Sequence, residues 1–158
     1  MNEKNKVSAG LLMYKIENKE LKVFLIHPGG PLFVKKDNGY WGIPKGIVES
    51  HKNEEIFDAA MREFQEETGI TVNKNQKFIE LGTIIKNSGK TIHAWAFQGD
   101  FNGKITSNLF KMEWPPKSGR IGEFPEIDKG QFFTIQQAKE KMGNRQWTFV
   151  ERLIEQLK

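Results

Sequence analysis

The spacing of hydrophobic positions changes several times along the chain, and each change marks a predicted secondary-structure element. Two dense apolar segments, residues 7–16 and 21–27, predict the strands of a hairpin with a short polar turn between them. Residues 78–86 and 91–99 predict a second hairpin, since the turn at 87–89 reads Asn-Ser-Gly and suits a tight reversal. Antiparallel strand pairs are therefore expected in both halves of the chain.

Shorter elements are predicted around these hairpins. Residues 33–35 and 131–133 predict short strands, because each contains aromatic or β-branched residues next to turn-forming positions. Residues 111–125 predict a loop, because prolines and glycines recur throughout the segment.

Three helices are predicted as well. The first begins near Asn53, a favourable N-cap residue, and ends at Gly69, which readily adopts the left-handed backbone of a helix stop. The others cover residues 135–142 and about 145–157. The last helix has an amphipathic stripe, made of Trp147, Val150, Leu153, Ile154 and Leu157. Hairpins mixed with helices predict an α+β or layered α/β fold, in a single domain over residues 1–158.

Composition limits the classes of function. The chain has 158 residues, of which 37% are hydrophobic, and it contains no cysteine, so disulfides, thiolate catalysis and cysteine-based zinc sites are excluded. No apolar run approaches the roughly 20 residues that cross a bilayer, so no membrane association is expected. The N-terminus reads as a first strand and not as a signal peptide, which predicts a cytoplasmic protein.

Acidic residues are concentrated in one part of this basic chain. The net charge is +4, yet residues 49–67 carry seven acids against two bases, a local balance of −5. Glu63, Glu66 and Glu67 share one face of the first predicted helix, and at 100° per residue Glu67 falls within its apolar sector. A solvated acidic face is the ordinary explanation of such a cluster. A carboxylate that points toward the core needs a partner or a metal, and hard oxygen ligands suit Mg²⁺ or Mn²⁺.

The same residues resemble the Nudix box, G-x5-E-x7-R-E-U-x-E-E-x-G-U, where U is a bulky aliphatic residue. The half from Arg62 to Ile70 matches at every fixed position, with an aromatic residue at the first U. The first half departs from the pattern, since Lys52 stands where a glutamate is expected after Gly46. Two extra loop residues would give that role to Glu54.

The resemblance extends along most of the chain and implies a Nudix α/β/α sandwich with a mixed β-sheet between helices. The segments HPGGP, KNSGKTIHAWAFQGD and KMEWPPKSGRIGEFPEID look like a subgroup of predicted nucleoside triphosphate pyrophosphohydrolases. That subgroup is similar to diadenosine tetraphosphate hydrolases.

The resemblance also implies a role for each residue of the box. Glu66 and Glu67 would ligate Mg²⁺, with Mn²⁺ as an alternative, helped by the backbone carbonyl near Lys45 and Gly46. Glu63 would be a further ligand or the base that activates water. Two more residues would support this set, namely Arg62, which would orient a box carboxylate, and Glu54, which would hold that arginine or add to the metal site.

A distal glutamate is expected to assist the box. Glu126 is favoured because it precedes the strand predicted at 131–133, while Glu123 and Glu113 are alternatives, and each of the three can equally be a surface acid. A set of cationic and aromatic residues is expected to bind the phosphates and the nucleobase of the substrate, namely Lys45, Lys111, Lys117, Arg120 and Trp114. A solvated basic loop is the competing interpretation of Lys111, Lys117 and Arg120.

Two classes of function are compatible with these residues. The first is an enzyme that hydrolyses a nucleoside diphosphate linked to another group, either a dinucleoside polyphosphate or a nucleoside triphosphate. The second is a non-catalytic nucleotide or RNA binder on the same scaffold. The chain lacks a dense basic stripe with interleaved aromatics, so nucleic acid is not the expected partner. The expected partner is a small nucleotide, bound by a monomer or a homodimer.

Overall fold

The computed structural model describes residues 6–143 and 145–158, which form a layered structure of strands and helices. The strands in this part of the chain are β1 (Val7–Glu17), β2 (Glu20–Pro28), β3 (Lys45–Ile47), β4 (Ile79–Ile85), β5 (Thr91–Gln98), β6 (Leu109–Glu113), β7 (Ile121–Pro125) and β8 (Ile127–Thr134). The helices are α1 (Ile56–Thr68), α2 (Ile135–Lys141) and α3 (Trp147–Gln156), with a 3-10 helix at Ser50–Lys52.

The main sheet has the strand order β4-β5-β1-β2-β8, and β3 pairs with the N-terminal half of β1. The pairing of β1 with β5 is parallel, whereas the other strand pairings in this sheet are antiparallel. The sheet is therefore mixed, as expected. Strands β6 and β7 form a separate two-stranded hairpin.

Helices cover both faces of the sheet, and β1 is consequently buried along most of its length. Ala9 and Leu11 on one face belong to the apolar cluster that includes α1, whose Phe64 is fully buried. Leu12 on the other face belongs to the cluster that includes α3, where Phe149 is fully buried. Burying each such phenylalanine contributes about 1.5–3 kcal/mol. The α/β/α sandwich of the sequence prediction is confirmed.

The predicted start of the first helix is wrong, and its end is correct. Asn53 is not the N-cap, because its left-handed backbone (φ 56°) closes the preceding 3-10 turn. The residue before α1 is Glu55, and the helix ends at Gly69 with φ 78°. A short polar residue such as Asn53 tolerates the left-handed region better than most residues, so it serves the extra turn instead of the helix.

Two other predictions are also wrong. Residues 111–125 are not a loop, since β6 and β7 pair with each other over their whole length. Pro115 and Pro116 lie between the two strands and Pro125 lies at a strand end, which are positions that proline tolerates. Residues 33–35 form turns instead of a strand. No helix in the described residues is both long and apolar enough to cross a membrane.

Candidate active site

Glu67 lies where β3 passes the C-terminal half of α1. The residue is 8% exposed, and its Oε1 accepts a hydrogen bond of 2.9 Å from the Lys45 backbone N–H. Burial raises the pKa of Glu67 to about 8, against the effect of that hydrogen bond, and the charges of Glu63 and Glu126 raise it further. The helical angles correctly placed this glutamate at the apolar edge of α1.

Arg62 forms hydrogen bonds with three other acidic residues of the box. Its Nε and Nη2 donate to the two carboxylate oxygens of Glu54 at 2.7 and 3.0 Å, which is a bidentate pair. Its Nη1 donates to Glu63 at 2.8 Å and to Glu66 at 3.2 Å. These partners, chiefly Glu54, hold the pKa of Arg62 well above its ordinary value.

The inserted turn before α1 decides which residue meets this arginine. Lys52, at the regular spacing from Gly46, is exposed and pairs with Glu49 at 3.3 Å. Glu54 instead reaches Arg62, and its Oε1 also accepts a hydrogen bond of 2.9 Å from the Glu49 N–H. The two extra residues thus bring Glu54, and not Lys52, to the arginine.

Gly46 leaves room for the carboxyl group of Glu63. A Cβ atom at Gly46 would overlap that carboxyl group, so a larger residue here would displace the Glu63 carboxyl from its place against β3. Burial raises the pKa of Glu63, while its contact with Arg62 lowers it. Gly46, the first residue of the box, therefore has a packing function beside Glu63.

Glu126 lies between β7 and β8, and a neighbouring segment ties it to α1. Its backbone N–H donates to the Asn108 carbonyl at 2.8 Å, while the Asn108 N–H donates to the Glu66 carbonyl at 3.2 Å. The Ser107 hydroxyl accepts from the Ile127 N–H and donates to the Ile127 carbonyl, both at 3.1 Å. Partial burial and the charge of Glu66 raise the pKa of Glu126. The sequence interpretation missed Ser107 and Asn108, which carry no local signal.

The alternative distal glutamates lie on the β6–β7 hairpin. Glu113 accepts a hydrogen bond of 2.7 Å from the Lys117 backbone N–H, and Glu123 is an exposed residue opposite Lys111. Neither shares the links that tie Glu126 to α1. Of the three candidates, the structure brings Glu126 to the box.

The same hairpin carries most of the residues predicted to bind substrate. Lys111, Lys117 and Arg120 are exposed, and within the described residues none of them forms an ion pair. Trp114 is half-buried, and its backbone N–H donates to the Arg120 carbonyl at 2.9 Å. A phosphate clamp by these side chains stays a prediction.

Lys45 differs from the hairpin cations because it lies beside the box carboxylates. Burial lowers the pKa of Lys45, and the charges of Lys86 and Lys90 lower it further, while Glu67 opposes the change. Lys86 and Lys90 flank the β4–β5 turn, where the Lys86 N–H donates to the Lys90 carbonyl at 2.8 Å. The sequence interpretation missed this pair of lysines, although their position on either side of a predicted turn was visible.

The two histidines on strands both have protein partners. His27 is fully buried between Asp128 at 2.8 Å and the Lys36 carbonyl at 2.6 Å. His93 contacts Glu80 at 2.8 Å and stacks on Trp95 with a centroid separation of 4.2 Å. These contacts support a structural role for each histidine.

The acidic residues suit a divalent cation by their chemistry, although they do not form a finished site. In the described part of the chain, no three His, Asp or Glu side chains are gathered as a ready-made metal site. The charge of Glu126 nevertheless raises the pKa of both Glu63 and Glu67, so a cation between them would relieve repulsion. Carboxylate oxygens are the ligands that Mg²⁺ prefers. Glu63, Glu66 and Glu67 would hold it, with Glu126 beside them.

A cavity of about 550 Å³ opens beside Glu67 and Lys45. Phe33, Tyr40 and Gln146 also line it, so its wall combines charged, amide and aromatic side chains. Ligand cavities in proteins have volumes of about 300–1,000 Å³. The dimensions and the lining suit a small molecule with an anionic part and a ring.

Comparisons with known proteins agree with this arrangement. The sequence model of the NUDIX domain matches residues 4–153. No curated protein matches the chain at a significant level of similarity. The NUDIX domain of Shewanella oneidensis NrtR, in a complex with ADP ribose, has a TM-score of 0.67 and 13% identity, over 96% of this chain and 88% of that one.

Two further solved structures are similar in fold. A C. elegans Ap4A hydrolase in a binary complex has a TM-score of 0.66 and 17% identity, over 95% of this chain and 97% of that one. Shewanella oneidensis NrtR in a complex with a 27mer DNA has a TM-score of 0.57 and 12% identity, over 96% of this chain and 61% of that one. At these identities the likeness shows the fold alone.

Proposed function

The chain belongs to the NUDIX domain family, and we propose that it hydrolyses a phosphoanhydride bond in a nucleoside diphosphate linked to another group. The observation that carries this proposal is that Glu63, Glu66, Glu67 and Glu126 lie close enough for their charges to raise the pKa values of Glu63, Glu67 and Glu126, next to a cavity lined by Glu67 and Lys45. A purely structural site has no reason to collect four carboxylates that repel one another.

Each residue of this set has a defined task in the proposed reaction. A bound Mg²⁺ or Mn²⁺ would neutralise phosphate charge and lower the pKa of water. Glu63 and Glu126 have raised pKa values, and each can accept a proton from the attacking water. Arg62 fixes Glu63 by a hydrogen bond, and Lys45 supplies positive charge near the phosphates.

We place dinucleoside polyphosphates first among the substrates and nucleoside triphosphates second. The similarity to an Ap4A hydrolase supports this order, as does the cavity, whose wall combines charged and aromatic residues. We also propose that the reaction takes place in the cytoplasm, where small nucleotides are abundant.

The test is turnover of diadenosine tetraphosphate, ADP ribose and nucleoside triphosphates with Mg²⁺, with chromatographic identification of the products. We expect Glu66→Gln and Glu67→Gln to lose more than about 100-fold of the activity, because each removes a charged ligand. Glu123→Gln is the matched control, since it makes the same change at an exposed position of β7. Full activity in both box variants would refute the metal assignment.

A non-catalytic binding role is the second candidate. NrtR, which has a similar fold, was solved with ADP ribose and with DNA, so nucleic acid stays among the candidate partners of this chain. A binder would retain nucleotide without turnover, and its affinity for DNA or RNA would fall steeply with salt. Nucleotide binding without product formation over the whole substrate panel would favour this role over hydrolysis.

A further inference from the structure

Gln146, the residue before α3, is a buried amide with one half committed to the fold. The residue is 4% exposed, and its Oε1 accepts a hydrogen bond of 2.8 Å from the Ile43 N–H. Because a backbone N–H can only donate, this bond fixes which end of the amide is the oxygen. The nitrogen, Nε2, is therefore the end that is left to make another contact.

Nε2 is free to meet a ligand in the cavity that Gln146 lines. Within residues 6–143 and 145–158 it has no hydrogen-bond acceptor, and no enclosed side-chain nitrogen or oxygen there lacks a partner. The small accessible part of the amide therefore includes Nε2. A donor that is shielded from most of the solvent gains more from an acceptor than an exposed donor does.

Gly42 keeps the space around this amide open. A Cβ atom at Gly42 would lie 2.6 Å from Oε1 and 2.9 Å from Nε2 of Gln146. Any larger residue would therefore displace the amide from its place in the cavity wall. Hydrogen bonds between Gly42 and Ile26 hold this part of the chain against β2.

Two aromatic rings, those of Phe33 and Tyr40, line the same cavity as Gln146. Phe33 and Tyr40 have ring centroids 6.2 Å apart, and Tyr40 is 43% exposed, so its ring is accessible to a ligand. Trp41 is not accessible in this way, because its indole N–H donates to Asp37 at 2.8 Å and its ring packs in the core. Aromatic rings next to a hydrogen-bond donor fit a flat heterocycle with a ring acceptor.

We propose that Gln146 is a specificity-determining residue that donates a hydrogen bond from Nε2 to a ring nitrogen of a purine base. The base lies against Phe33 and Tyr40, and the phosphates extend toward Lys45 and Glu67, which line the same cavity. A purine fits because its ring nitrogens offer acceptors on more than one edge. This inference deepens the proposed function and rests on it for the direction of the phosphates.

The experiment measures binding of AMP and of its 1-deaza, 3-deaza and 7-deaza analogues by calorimetry, without metal and without turnover. It compares the wild-type chain, at about pH 9, with Gln146→Glu, which keeps an acceptor for the Ile43 N–H and, as an ionised carboxylate, has no donor. Gln137→Glu is the matched control, since the Gln137 side chain accepts a similar backbone hydrogen bond at the exposed start of α2. Gly42→Ala is a second variant, because it displaces the amide and leaves Gln146 unchanged.

We expect one deaza analogue to bind the wild-type chain about tenfold more weakly than AMP, as the loss of one hydrogen bond predicts. In Gln146→Glu and Gly42→Ala that difference should disappear, while Gln137→Glu should keep it. The proposal is overturned if the wild-type chain binds AMP and all three analogues equally well. It is also overturned if folded Gln146→Glu or Gly42→Ala keeps the wild-type difference in affinity. Hydrolysis is not measured in this experiment, so failure of this proposal is separate from failure of the glutamate variants.

Discussion

Replacement of Glu67 by glutamine should remove a large dependence of stability on pH. Burial raises the pKa of Glu67 from its ordinary value of 4.5 to about 8. Between these values the folded chain keeps a proton that the unfolded chain has released, so the free energy of unfolding falls as the pH rises. Since each pKa unit corresponds to about 1.4 kcal/mol, the full decrease is about 5 kcal/mol. Glu67→Gln keeps an acceptor for the Lys45 N–H and cannot ionise, so this decrease is absent from the variant.

The assay is urea denaturation of the wild-type chain and of Glu67→Gln at a series of pH values from about 5 to about 8.5, without divalent cations. The variant should gain about 3–5 kcal/mol relative to the wild type between the lowest and highest pH. Mg²⁺ should restore wild-type stability at high pH and have little effect on the variant, because a bound cation favours the ionised carboxylate. Parallel pH profiles for the two proteins would refute the assignment of the raised pKa to Glu67.

Three further changes test the surroundings of the site. Arg62→Lys should lower turnover about 10- to 100-fold, because lysine cannot form the bidentate pair with Glu54; unchanged kinetics would contradict this role. Ser107→Ala should lower kcat about fivefold with little change in KM, since about 1 kcal/mol of hydrogen bonding that positions Glu126 is lost, and Ser107→Thr should recover part of it. Gly69→Ala should lower the free energy of unfolding by about 1 kcal/mol, because φ is 78° there; equal urea midpoints would argue against that backbone.

Local patterns were sufficient for the C-terminal half of α1 and for the two hairpins of the main sheet, β1–β2 and β4–β5. The positions of Glu63, Glu66 and Glu67 depend only on helical geometry, which repeats every 3.6 residues. The burial of Glu67 followed from the same geometry, once the apolar sector of the helix was known. The end of α1 at Gly69 could also be predicted from local sequence, since glycine is the usual residue at left-handed helix ends.

Boundaries and hairpins were harder to predict where turn residues have two possible roles. Asn53 belongs to a residue type that caps helices and also tolerates left-handed turns, and the neighbouring chain selected the second role. Pro115 and Pro116 predicted a loop, but they lie in the turn between β6 and β7 and leave both strands intact. A local pattern cannot distinguish a proline that interrupts a strand from one that ends it.

The sequence alone determined the helix and its acidic face, because those features depend on neighbours within one or two turns. Only the tertiary structure shows which of the three distal glutamates lies next to them. Glu126 is tied to α1 through Ser107 and Asn108, and 20 residues separate Ser107 from Ile127, the residue to which it bonds. The hydrogen bond from the Ile43 N–H to the Gln146 amide is also a long-range contact, since 103 residues separate its partners. Such contacts form only when the sheet and helices pack together, so no local pattern records them.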